Sequence, residues 1–222
     1  MTSLDRSVEV AGSGPAARHE VSEQASELDR CMSRYAEGDD AEFKRIFTAL
    51  SPRLHTFLRR LCGSPDLAHD LLQETFLRIH RARGSFVPGS AATPWAYAIA
   101  RNCFISQARL LKSRAARRSV DIDDHVVAGG LDSSAEETTS ARQSAAVVER
   151  TLASMSPLNR EAFVLLRFEG QSVAAAAQIL GTSEGAVKLR AFRAYEALRA
   201  ALKATESSLD GQRSGNQTAE QA

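Results

Sequence analysis

The chain has 222 residues, room for one large domain or two small ones, and its formal net charge is only +1. The near-balance hides blocks: residues 1–43 carry four Arg against ten acids, residues 44–118 carry fourteen Lys or Arg against three acids, and residues 120–140 carry six acids and no Lys or Arg. A surplus of cations over 44–118 points to a polyanionic partner, and the absence of any apolar run near the ~18 residues a bilayer span needs argues against membrane insertion.

In chain order, residues 1–26 are small, polar and acidic, with Gly-Ser-Gly-Pro at 12–15. They read as a disordered tail with none of the apolar character of a signal peptide. From about Asp39, Phe43, Ile46, Phe47, Leu50, Leu54, Leu58 and Leu61 recur at three- and four-residue steps, the apolar face of a helix that Gly63 ends. Ser64-Pro65, Thr93-Pro94 and Ser156-Pro157 each place a hydroxyl at an N-cap and proline at the first helical position. They predict helices over about 65–82, 94–117 and 157–169.

On the first of these, Asp66, Asp70 and Glu74 fall at i, i+4 and i+8, so three carboxylates line one face. They are the only acids in the basic block, and such a ridge suits a basic protein surface rather than DNA. On the second, Tyr97, Arg101 and Phe104 share one side, with Trp95, Ile99 and Cys103 on the other. Trp95 reads mainly as core. Cations hold a nucleic-acid backbone, and aromatics stack unpaired bases at roughly 1–3 kcal/mol each. For Tyr97 and Phe104, base contact and packing against the first helix weigh evenly. The Gly/Pro/Ser stretch "RGSFVPGSAAT" between the two helices is a loop of functional length.

From Ser119 to Thr139 the chain is acidic and rich in Gly and Ser, a flexible linker by composition. Helical pattern resumes near Ser140. In "SVAAAAQILGTSEGAVKLRAFRAYEALR", Ser172 caps a short helix whose Ala174–Ala177 run permits close packing, with Ile179 and Leu180 as anchors. Gly181 makes the turn and Ser183 caps the next helix. There Val187, Ala191, Ala194, Leu198 and Ala201 form a core-facing stripe, while Gly185, Lys188, Phe192 and Arg199 point away, with Leu189 and Arg193 on the same outer half. Two short helices, a glycine turn and a basic second helix form a helix-turn-helix, whose second helix fits a DNA major groove. Residues 204–222 again lack a core-forming pattern and read as a second disordered tail.

Strand signals are nearly absent, so the expected fold is all-α. Two small helical modules, 27–118 and 141–203, are joined by the linker 119–140. Cys31, Cys62 and Cys103 lie far apart, with no CxxC pair and no zinc-type Cys/His spacing. They suit reduced thiols in a cytoplasmic protein. No cofactor, metal site or catalytic residue is expected: there is no nucleophile–base pair and no phosphate-binding glycine loop.

The segment "LASMSPLNREAFVLLRFEGQSVAAAAQILGTSEGAVKLRAFRAYEALR" resembles region 4 of bacterial RNA polymerase sigma factors of the extracytoplasmic-function (ECF, sigma-70 group 4) type. "DLAHDLLQETFLRIHRARGSF" resembles region 2.2 of that family, usually close to Asp-Leu-x-Gln-Glu-x-Phe, here Asp70, Leu71, Gln73, Glu74 and Phe76. "TPWAYAIARNCFISQARLLKSRAARR" resembles regions 2.3 and 2.4. Together the similarity covers about 35–118 and 150–203.

The resemblance implies an alternative sigma factor that binds core RNA polymerase and directs promoter-specific initiation, with bond formation left to the polymerase. Asp66, Asp70, Leu71, Gln73, Glu74 and Phe76 would bind core through the β′ coiled coil, with the β flap as a second contact. Tyr97, Arg101, Asn102 and Phe104 would bind −10 DNA, and loop 84–92 would capture a flipped −10 base. Thr182, Ser183, Glu184, Lys188, Leu189, Phe192 and Arg193 would bind −35 DNA. The family also implies an anti-sigma partner. Separately, the charge of the acidic linker, Asp121, Asp123 and Asp124 included, resembles that of nucleic acid, so the linker is expected to occupy a polymerase channel later used by RNA. Two departures stand out: His80 replaces an aromatic, often Trp, and Leu189 replaces a frequent Ser. The alternative is a stand-alone helix-turn-helix regulator that binds an operator without polymerase; a helical protein–protein adaptor is more remote.

Overall fold

A computed structural model describes the backbone of residues 15–117 and 139–219, and the side chains of 26–114 and 144–205. Residues 118–138, which include Asp121, Asp123 and Asp124 and all of the expected linker 119–140 but its last two residues, lie outside the described residues. Eight α-helices and no strand occur among the described residues. No helix among them is long and apolar enough to cross a membrane.

The first bundle comprises α1 (Pro15–Ala36), α2 (Phe43–Cys62), α3 (Pro65–Ala82) and α4 (Ala92–Arg117). The apolar spacing on α2 holds for Ile46, Leu50, Leu54, Leu58 and Leu61, all buried, and for Phe43, which packs against the core; Phe47 is exposed instead, and Phe57, outside the predicted stripe, is buried. Gly63 ends the helix at φ 70°, a left-handed conformation that glycine adopts without a Cβ clash. α1 begins inside the stretch read as a tail. It contributes Leu28, Cys31, Met32 and Tyr35 to the core, so the N-terminal module reaches further back than the resemblance does.

The three hydroxyl–proline pairs behave differently. Ser64 Oγ accepts the Leu67 N–H at 3.3 Å and caps α3. Ser156 makes no side-chain cap bond at the start of α6. At the third pair α4 already begins at Ala92, so Thr93 and Pro94 lie within its first turn rather than flanking it. The Ala92 N–H is satisfied from a distance instead, by Asp29 Oδ1 on α1 at 2.7 Å. No local pattern reports a cap donated from another helix.

The second bundle comprises α5 (Thr139–Ser154), α6 (Pro157–Phe163), α7 (Val173–Leu180) and α8 (Glu184–Ala219). The expected 157–169 helix changes pitch midway, because Val164–Phe168 form a π-turn. Ser172 Oγ caps α7 at 3.1 Å and Gly181 ends it at φ 61°. Ser183 Oγ accepts the Ala186 N–H at 3.3 Å. On α8, Val187, Ala194 and Leu198 are buried, and Ala191 packs against the core. α8 continues through the stretch read as a C-terminal tail.

The two bundles are not separate. α7, the alanine-rich helix, lies against α4, and the π-turn lies against α2. Buried residues of both bundles form one contiguous apolar cluster. Ala176 and Ala177 are buried, where small side chains suit close helix packing, whereas Ala174 is exposed.

Candidate nucleic-acid interface

Three surfaces carry the residues singled out by the sequence. On α3, Asp66, Asp70 and Gln73 are exposed and Glu74 is half-buried, so the carboxylate ridge exists. Glu74 pairs with Arg78 at 2.7 Å, one turn on. Gln73 Nε2 and His69 Nε2 lie 3.0 Å apart. Leu71 and Phe76, expected among the polymerase contacts, are buried instead. Phe76 packs edge-on to Phe43 at 6.1 Å and tilted to Phe47 at 4.6 Å. They hold the ridge from beneath rather than presenting it, as helical spacing dictates for residues off the carboxylate face. Leu77, which the sequence pattern did not single out, and Phe47, which it placed on the apolar face of α2, are large apolar groups left exposed on α3 and α2.

His80 takes the place of the usual aromatic by another route. Its Nδ1 shares a 2.6 Å hydrogen bond with Tyr35 Oη on α1. The Arg83 guanidinium sits 4.9 Å over the Tyr35 ring and pairs with Asp40. The Tyr35 and His80 rings themselves lie 6.1 Å apart, tilted by 41°.

On α4, Asn102 is exposed and Phe104 is half-buried against the core. Trp95 is half-buried and meets Phe86 edge-on at 5.3 Å, in keeping with a mainly structural role. Asn102 lines an open groove of about 350 Å³ with Arg78, Arg81, Ala82 and Ile99. Sequence spacing alone did not mark the two arginines. Their i, i+3 relation on α3 was visible, but only the fold sets them beside Asn102.

Tyr97 and Arg101 have a different setting. Tyr97 is fully buried, its ring 5.0 Å from Phe57 on α2. Its hydroxyl donates to Glu169 Oε2 at 2.8 Å, and Glu169 belongs to the second bundle. Burial, then the neighbouring Glu169 charge, pushes the Tyr97 hydroxyl well above the ordinary tyrosine range. Arg101 Nε donates to Glu161 Oε2 at 2.7 Å, with the Arg101 side chain 13% exposed and that of Glu161 3%. Arg60 Nη1 reaches Glu169 Oε1 at 2.8 Å while its guanidinium stacks 4.2 Å over Phe168. Arg53 Nη2 donates to the Glu169 carbonyl at 3.2 Å, and Arg160 Nη1 to the Leu61 carbonyl at 3.4 Å. Thus both residues lie in a seam between bundles. Sequence spacing grouped them correctly but gave no sign of partners 60 and 72 residues away.

On α8, Lys188, Leu189, Phe192 and Arg193 are all exposed, as are Ser183 and Glu184, while Thr182 is half-buried. Phe192 is 61% exposed, far from the fate of a core aromatic. Tyr195, three residues on and 58% exposed, extends the row and was not singled out.

Comparison with known proteins bears on both bundles. Residues 46–115 match the model for Sigma-70 region 2, and residues 145–198 that for Sigma-70, region 4. The RNA polymerase sigma factor CarQ of Myxococcus xanthus is 34% identical over 174 residues, covering 76% of this chain and 93% of the relative. The chain belongs to the ECF sigma factors. The ECF RNA polymerase sigma factor SigF of Caulobacter vibrioides is 32% identical, covering 80% of this chain and 95% of the relative. Among solved structures, the sigma factor RpoE of Bartonella quintana, crystallised with the anti-sigma factor NepR, has a TM-score of 0.62 at 29% identity and covers 73% of this chain and 97% of its own. CnrH, solved with the cytosolic domain of CnrY, has a TM-score of 0.58 at 25% identity, with 80% and 98% covered.

As an ECF sigma factor the protein directs promoter-specific transcription initiation with core RNA polymerase. Sigma factors are initiation factors rather than enzymes. The presence of region 2 beside region 4 sets aside the stand-alone helix-turn-helix regulator, which would need only the latter.

Proposed function

We propose that residues 27–118 bind core polymerase and the −10 element, and residues 141–203 bind the −35 element. The ridge of Asp66, Asp70 and Glu74, flanked by Gln73, docks on the β′ coiled coil, with Leu71 and Phe76 setting its position from the core. Asn102 and the adjoining Arg78 and Arg81 form the groove that holds −10 DNA, joined by Arg101 and Phe104 once the seam opens. Lys188, Leu189, Phe192 and Arg193, with Thr182, Ser183 and Glu184 at the head of α8, enter the −35 major groove. The chain supplies binding alone, and works where the polymerase is, in the cytoplasm. An anti-sigma factor is a further partner, by analogy with the relatives solved in such complexes.

The observation that carries this reading is the outer face of α8: cations and a largely exposed phenylalanine opposite a stripe in which Val187, Ala194 and Leu198 are buried. Run-off transcription with core polymerase and genomic fragments tests it. Wild type should give discrete transcripts. Asp70→Arg with Glu74→Arg should lower assembly with core at least about tenfold, and Lys188→Ala with Arg193→Ala should reduce transcription from the same starts. Undiminished assembly by the charge-reversed protein would refute the polymerase assignment.

A further inference from the structure

Glu161 and Glu169 belong to the second bundle, yet their carboxylates are spent on the first. Their partners are Arg101 on one side, and Arg60 and Tyr97 on the other. Arg101 and Tyr97 are also two of the four α4 residues that the family resemblance expects at the −10 element, with Asn102 and Phe104. For a guanidinium, a carboxylate and a phosphate offer the same thing: a planar or tetrahedral anion that accepts charge-assisted hydrogen bonds.

We propose that Glu161 and Glu169 form a built-in anionic decoy, a latch that folds region 4 over α4 and withholds Arg101 and Tyr97 from DNA until the seam opens. The proposal rests on the reading of α4 as the −10 helix.

An independent feature points the same way. The π-turn at Val164–Phe168 bonds the Glu169 N–H back to the Val164 carbonyl at 3.0 Å, five residues rather than four. One extra residue in a turn rotates the downstream side chains by about 100° relative to a continuous α-helix. The rotation delivers Phe168 beneath the Arg60 guanidinium and Glu169 between Arg60 and Tyr97. Such turns are uncommon and concentrate at functional positions.

The latch is also built to yield. Arg60 Nε is buried without an acceptor, a polar group that regains a partner when the seam admits water or DNA. Closure is selective: Asp66 and Asp70 stay exposed on α3, as do Lys188, Phe192 and Arg193 on α8. The closed chain therefore keeps its polymerase ridge and its −35 face available while withholding part of the −10 face. DNA and region 4 compete for the same guanidinium.

The test compares the full chain with Glu161→Gln/Glu169→Gln by small-angle scattering, and by anisotropy with a fluorescein-labelled mixed-sequence single strand. The variant should be more extended. It should also bind the strand about tenfold tighter, the gain expected if the open fraction rises from about a tenth to nearly all. Adding Arg101→Ala should cancel the gain. Unchanged dimensions, or an extended chain with unchanged affinity, would overturn the proposal. Should the double substitution unfold region 4, Arg60→Gln breaks the Glu169 pair from the α2 side and must give the same opening; a compact Arg60→Gln chain also overturns it. Run-off transcription by holoenzyme judges the promoter reading separately: its absence in wild type strikes that reading, whereas the free chain's dimensions decide the latch.

Discussion

Tyr97 condenses the physics of the seam into one side chain. Its ring fills core space against Phe57, and its hydroxyl satisfies a carboxylate that is itself nearly buried. Replacing it with Phe keeps the packing and removes the donor, leaving Glu169 Oε2 short of a partner. Such an orphaned buried acceptor costs about 1–3 kcal/mol, so Tyr97→Phe should lower the stability of the full chain by that amount in urea denaturation. At this scale the sequence was half legible. The wheel grouped Tyr97 with Arg101, and composition marked both as candidates for nucleic acid. It could not choose between a base and a core for Tyr97, because the choice depends on Glu169, which sits far along the chain and carries no local mark. The burial of Leu71 and Phe76 went unread for a related reason: a motif carries over the identity of a position, not the side of the helix on which it lies.

Helix ends obey local rules where the cap is local. Ser64 caps α3 with its own hydroxyl, whereas Ser156 contributes no such bond to α6. Ser64→Ala should therefore cost about 1 kcal/mol of unfolding free energy, and Ser156→Ala a small fraction of that; equal losses in thermal melts would contradict the assignment. Most elements could be read in advance, α2, α3, α7 and α8 nearly to the residue at the ends that carry a glycine or a capping serine. The start of α4 and the π-turn after α6 could not. One is fixed by Asp29 from another helix, and the other by cross-bundle partners of Glu169 and Phe168.

Across the whole molecule, the contiguous core joins what composition had divided. An acidic linker suggests two bodies, and a linker's composition says nothing about whether the bodies it joins adhere. The shared core also hides every thiol. Burial pushes Cys31, Cys62 and Cys103 up from the ordinary cysteine range, and Tyr97 up from that of tyrosine. The unfolded chain then sheds these protons before the folded one does. The associated stability is intact below about pH 8.5, the unfolded thiol value, and declines as the pH climbs beyond it. Calorimetry across neutral to alkaline buffers should show a falling melting temperature, and alkylating agents at neutral pH should spare all three cysteines until the chain is unfolded.

The tie from Asp29 to the head of α4 has a practical corollary. Family similarity for region 2 starts at residue 46, so a fragment trimmed to that boundary would discard Leu28, Cys31, Met32 and Tyr35 along with the carboxylate that closes the α4 terminus. The excised piece would carry an open apolar furrow where α1 belongs and a frayed leading turn on α4. For this protein the homology boundary is not the folding boundary, and expression of the smaller module has to begin upstream of α1's buried face.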